Sequence, residues 1–213
     1  MCPVKTYFET NPLSEPGSLR KDGCLPRTSA FGEWFPAAAD YIKTIPRGEW
    51  KGIIAQRKAE GVSLRDVVPV ILDQDGKGSC AAEMATGALM DVRAFSGLDH
   101  VLLNPWSLYH FSGGGRDGGS NIDTNLRYLR DQGVLPMSVW GRSHGIRKPP
   151  NDLMEEHGTK YRVDEWYDIR SKEEFASALL TGYTVCYGRR GHAIRAIDLL
   201  DEDRFLYANS WGN

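Results

Sequence analysis

The chain's apolar and polar positions fall into three regimes. Up to about residue 47, Pro, Gly and Ser break every apolar group and little period survives, so irregular chain wrapped on a core is expected. From residue 49 the period becomes helical. EWKGIIAQRKAEG (49–61) predicts a short amphipathic helix closed by Gly61, and DVVPVIL (66–72) an extended segment that Pro69 confines to an edge. A helix of about four turns is predicted from Ser79 or Cys80 to Phe95, with Met84, Ala88 and Val92 on one face and Gly97 beyond its end. Asn104-Pro105 starts a further helix, WSLYHF, and SGGGRDGGS (112–120) must be a loop. Ser120 or Asn121 can cap IDTNLRYLRDQ, which Gly133 stops. Residues 141–163, with Pro149-Pro150, read as loop, and Ser171 with Glu174 forms a capping-box pattern before FASALL. The last thirty or so residues alternate as strands do, in YTVCY, HAIRAIDL and RFLYANSW. Helices first and strands last predict an α+β protein with a helical part and a sheet part.

Charge and composition narrow the function. Charged residues make up 25% of the chain and the net charge is −2, so no basic field exists to hold nucleic acid or an anionic membrane. No apolar run approaches the ~20 residues that span a bilayer, and the N-terminus has no secretory-signal pattern. Cys2, Cys24, Cys80 and Cys186 lie far apart without a CxxC pair, which argues against a zinc site and a disulfide framework. A reducing, cytoplasmic setting is the simplest expectation, with a Cys2–Cys24 bridge as the alternative. His100, His110, His144 and His157 have no ligand spacing, so no metal is expected.

One constellation carries chemistry. Cys80 opens the strongest helix, where unpaired N–H groups and the helix dipole favour a thiolate. A hairpin turning at DEDR would bring His192, at the start of one strand, beside Asn209, at the end of the next. A thiolate, an imidazole to share its proton and a third group to orient the ring are what cysteine nucleophile chemistry needs. The bland alternatives are a buried structural thiol, a core histidine and turn residues at 74 and 209.

With Gln74 six residues before Cys80, GSC at the helix start, GHA at 191–193 and NSWG at 209–212, the chain resembles the papain-like cysteine peptidases. The resemblance covers about residues 64–213 and implies their two-part fold, the helical part at about 64–150 and the sheet part at about 151–213, with a cleft between. It makes Cys80 the nucleophile, His192 the general base, Asn209 its orienting partner and Gln74 the oxyanion-hole amide. Trp211 would shield the Asn–His contact, and the Gly118-Gly119 backbone would pair with an extended polypeptide substrate. LNPWSLYHFSG (103–113) resembles the segment leading into that loop. The implied activity is peptide-bond hydrolysis without cofactor or metal.

The departures are specific. Ala81 and Glu83 stand where relatives carry aromatic residues, and Lys77 replaces a cysteine that commonly forms a disulfide. The segment from Val185 to His192 is short, and the chain ends at Asn213 where relatives continue, which suggests a truncated C-terminus. These leave two rival expectations: a non-catalytic papain-like scaffold used for binding or assembly, and another cysteine acyl-transfer enzyme such as an amidase. Residues 1–63 form an N-terminal extension, a possible propeptide or packing arm. Its Phe31, Trp34, Phe35, Tyr41 and Ile42 need a partner surface. Two are available, the substrate cleft and the open flank of the C-terminal sheet; the flank is the expected one, because bare sheet edges are normally covered.

Overall fold

The computed structural model describes residues 9–10, 23–30, 33, 35–66, 68, 70–189 and 191–211. Among the described residues there are six α-helices: α1 (Arg47–Glu60), α2 (Cys80–Phe95), α3 (Pro105–Ser112), α4 (Ile122–Asp131), α5 (Asn151–Glu156) and α6 (Lys172–Leu180). Four strands, β1 (Glu9–Thr10), β2 (Val185–Arg189), β3 (His192–Leu199) and β4 (Phe205–Ala208), form one antiparallel sheet in the order β1-β4-β3-β2. The α+β expectation holds; β2, β3 and β4 follow the helices, whereas β1 precedes them.

Local signals explain most boundaries. Asn104 accepts from Trp106 N at 3.1 Å with Pro105 in the first turn, and Asn121 accepts from Thr124 N at 2.8 Å. Ser171 accepts from Glu174 N at 3.0 Å; Glu174 reaches back to Arg170 N at 2.9 Å, one residue before the position a capping box uses. Gly61 closes α1 in the left-handed region, φ 66°, which a side chain would strain.

Helix α2 is the hub. Met84, Leu89 and Met90 join Leu103, Leu108, Tyr109, Leu126 and Leu129 in one core, and Ala193 brings β3 into it. The second core lies on the other side of the sheet, where Trp50 and Ile54 of α1 meet Leu179 and Leu180 of α6 and Ala196 and Leu199 of β3. Strand β3 is therefore buried on both faces, and its sequence does not alternate cleanly. The charge on this strand is also buried. Arg195, 2% exposed, pairs with Asp91 of α2 at 2.7 Å and donates to Val70 O at 2.9 Å. Gly87 makes this crossing possible, because a Cβ there would lie 1.9 Å from the guanidinium.

Three expectations change. Residues 66–72 form no strand among the described residues; a 3-10 turn at Leu64–Asp66 precedes them. Val68 and Ile71 pack on Ile197 and Ala208, and the Val70 carbonyl serves Arg195 rather than a ladder. Residues 141–163 contain α5, with Pro150 as its N-cap: proline disrupts a helix interior but leaves the residues that follow it free to begin one. The one-sided face of α2 is wrong as well. Its first eight residues and Leu89 to Asp91 are all buried, whereas Val92 is exposed, because the helix lies between α3, α4 and the sheet.

Among the described residues, the extension covers the flank through residues 9–10 and not through its aromatic side chains. Thr10 pairs with Leu206 and Glu9 with Tyr207, covering the outer edge of β4. Phe35 packs on Trp166 and Tyr41 on Tyr167, and Trp50 is fully buried. Residues 23–25, however, run through the cleft. Phe31 and Trp34 lie outside the described residues.

Candidate functional site

Strands β3 and β4 deliver two of the expected residues together. His192 Nε2 lies 2.6 Å from Asn209 Oδ1, a bond in which the ring nitrogen donates. Trp211 stacks on the same ring, centroids 5.2 Å apart. The other ring nitrogen, Nδ1, is buried with no hydrogen-bond partner among the described residues. A ring held on one edge and one face, with its second nitrogen left uncommitted, is oriented for proton transfer at that nitrogen.

Cys80 is the first residue of α2 and is 0% exposed. It shares a core cluster with Ala193, the neighbour of His192. The loop before it is built around Gln74, itself 1% exposed. The Gln74 amide donates to Lys77 O at 2.5 Å, and its carbonyl accepts from Ser210 Oγ at 2.6 Å. Ser210 N in turn donates to Asn209 Oδ1 at 2.9 Å, so hydrogen bonds run without a break from Gln74 to His192. Gln74 N also donates to Ser210 O at 2.9 Å, which locks the loop to the end of β4. Asp75, at φ 48°, takes the left-handed conformation that this tight turn demands.

The glycine-rich loop is tied to the loop before Cys80 by Asp117 and Tyr109, to which the sequence assigned no role. Asp117 Oδ1 accepts from Gly78 N at 2.7 Å and from the Tyr109 hydroxyl at 3.2 Å, and that hydroxyl accepts from Gly119 N at 2.8 Å. Burial pushes the Tyr109 phenol up to about 12, so it stays a neutral donor. Behind Cys80, Glu83 accepts from Ser79 Oγ at 3.1 Å and pairs with Arg142 at 2.9 Å, while Arg142 lies over the Trp106 ring. Burial raises the Glu83 carboxyl to about 8, against the pull of Arg142 and Ser79. The sequence signal for this pair was available: a glutamate where an aromatic residue was expected needs a buried cation.

Gly119 and Ser120 line the track taken by the N-terminal segment, while Gly118 is exposed and has no such contact among the described residues. Ser120 N donates to Gly23 O at 2.8 Å, Leu25 N to Ser120 O at 3.0 Å, and Cys24 N to Gly191 O at 2.7 Å. Gly23 fits only as glycine, since a Cβ would meet the Gly78 carbonyl at 2.0 Å. A Cβ on Gly188 would meet the Cys24 sulfur at 3.5 Å and one on Gly119 the Gly23 carbonyl at 2.6 Å, so the segment lies between the glycine-rich loop and β2. Burial, and next the charge of Cys80, push the Cys24 thiol up to about 12. Burial does the same to Cys186. Cys24, Cys80 and Cys186 are free thiols, and Cys2 lies outside the described residues. The described residues hold no metal-binding cluster and no helix long and apolar enough to cross a membrane.

No protein-family model matches the chain, and no curated protein matches its sequence. Solved structures do. Xylellain, a cysteine protease from Xylella fastidiosa, aligns over 94% of this chain and 88% of its own, with TM-score 0.66 and 16% identity. The digestive procathepsin L 3 of Tenebrio molitor larval midgut aligns over 71% of this chain and 59% of its own, with TM-score 0.57 and 18% identity. A cysteine protease of Carica candamarcensis aligns over 71% and 82%, with TM-score 0.53 and 16% identity. These likenesses, together with a helix-borne cysteine and a hairpin-borne histidine, give the chain the papain-like fold.

Proposed function

We propose that the chain is a cysteine endopeptidase, held closed by residues 23–27 of its own N-terminal extension. The observation that carries this reading is the His192 ring fixed by Asn209 and Trp211 in the hairpin that packs against the start of α2. In the reaction the Cys80 thiolate attacks a peptide carbonyl, forming an S–C bond, and His192 protonates the departing amine. A water then gives its proton to His192 and its oxygen to the acyl carbon, which frees the carboxylate product and the thiolate. The developing oxyanion is stabilised by the Gln74 amide and the helix N-terminus, on the order of 3 kcal/mol for a well-placed donor. Asn209 is neutral and orients the ring without forcing a charge on it. Ser210 extends this support, because it braces Asn209 and Gln74 at once.

The N-terminal segment fits the role of a strap. It uses the Gly191 carbonyl and both backbone groups of Ser120, which an extended substrate would need. The complete burial of Cys80 agrees with a covered site.

A peptidyl epoxide followed by peptide mapping tests the reading. Adduct is expected on Cys80 and not on Cys24 or Cys186, with the rate reduced at least about a hundredfold in His192→Ala, the scale of a lost general base. Equal, slow modification of all three thiols in both proteins would return Cys80 to a structural role.

A further inference from the structure

The strap leaves the cleft at a charged anchor. Arg27 Nη1 and Nη2 donate to the two oxygens of Asp168 at 2.8 and 3.0 Å, and Nε lies 2.9 Å from Asp123 Oδ2. Both carboxylates are built into the wall and are 6% exposed. Asp123 sits in the first turn of α4, three residues beyond Ser120, and also accepts from Ser29 Oγ at 2.6 Å. Asp168 is fixed by backbone bonds to Pro36 and Ala38. Two buried carboxylates that converge on one point repel unless a cation lies between them, and a planar guanidinium matches both.

We propose that Asp123 and Asp168 form a subsite for an arginine side chain of the polypeptide substrate. This inference rests on the peptidase reading above. Any extended chain bonded to Ser120 and Gly191 follows the strap's track, and Gly23 lies on that track beside Gly78, two residues before Cys80. Four residues of extended chain, about 13 Å, separate Gly23 from the residue facing the acid pair. A groove of about 1290 Å³ runs beside the strap, with Asp123, Asp168, Ile122 and Gly188 in its wall, so an incoming chain has room. Strap and substrate thus compete for one electrostatic anchor, Arg27 standing in for the substrate's arginine.

The test uses full-length Arg27→Ala, which vacates the anchor, and peptides that differ only by arginine or its neutral isostere citrulline. In a peptide library, arginine is expected to be enriched about tenfold or more over citrulline at one position, about four residues from the cut, as a charge-assisted bidentate pair implies. Asp168→Asn, and separately Asp123→Asn, in the same background should bring the ratio to within about twofold while citrulline peptides are still cleaved. Binding to Cys80→Ala/Arg27→Ala, read by fluorescence anisotropy, should show the same arginine preference. A strap still partly in place weakens both peptides alike and leaves the ratio intact. Cleavage and binding without arginine preference would overturn the subsite and leave the peptidase reading standing. Arginine-selective binding with no cleavage by any Cys80 form would uphold the subsite and end the peptidase reading. Absence of both selective binding and cleavage would remove both.

Discussion

Two parts of the N-terminal extension meet the same papain-like core in opposite ways. Residues 35–60 bury Phe35, Ala38, Trp50 and Ile54; Trp50 is completely enclosed and donates to Ile45 O at 2.8 Å. Arg57 adds a bond to Leu179 O at 2.7 Å. Residues 23–30 bury little side chain: Leu25 is 47% exposed, and Pro26 and Thr28 are exposed too. They are held by backbone bonds in the cleft and by Arg27. The first part resembles an interior element, the second a ligand. Apolar burial makes a segment permanent, whereas a few polar contacts on an open track make it exchangeable.

The sharpest way to break this comparison is at Trp50. Trp50→Ala should cost about 3–5 kcal/mol, as for other large core truncations, and lower Tm by about 10 °C or more in a chain of this size. A Tm change under about 3 °C would mean that residues 35–60 are not part of the core. The strap should respond in the opposite sense. Arg27→Ala removes two ion pairs, but the carboxylates it leaves are hydrated once the strap lifts, so Tm should fall by less than in Trp50→Ala, while alkylation of Cys80 by iodoacetamide should accelerate about tenfold. Faster alkylation with no loss of Tm would be acceptable; a large Tm loss with unchanged alkylation would make the segment structural.

The last effect is electrostatic and sharpens the contrast at the start of α2. The folded chain holds a proton on Glu83 up to about pH 8, whereas the unfolded chain releases it near 4.5. Stability contributed by this group is therefore present in full below about 4.5 and is lost as pH rises to about 8. Asp91, raised to about 6 by burial, adds a decline from about 3.8 to 6. Tm of Glu83→Gln, followed from pH 5 to 8, should decline less steeply than that of the native chain. Parallel curves would show that Glu83 is already ionised beside Arg142.

Much of this was legible because it is local. Asn104, Asn121 and Ser171 cap the helices their positions suggested, since a cap and its N–H partner lie two or three residues apart. His192 and Asn209 were placed together by one hairpin. The misses are long-range or ambiguous. Arg142 reaches Glu83 across 59 residues, and Arg195 reaches Val70 across 125. Helix α5 was hidden because Pro149-Pro150 signals a break or a start equally well. The strap was unreadable for a different reason. Gly23–Cys24–Leu25 has no period and hardly any apolar burial, and its bonds to Ser120 and Gly191 are made by backbone that any sequence carries.

The buried Arg195–Asp91 pair has a mechanical consequence. It rivets β3 to α2 across the seam between the sheet part and the helical part, and Gly87 lets the rivet sit flush. Breaking such a pair by parting the halves would strand two charges out of water, at several kcal/mol. The joint therefore resists parting of the two halves, and under the strap reading the site is uncovered by lifting residues 23–27 and not by spreading the cleft.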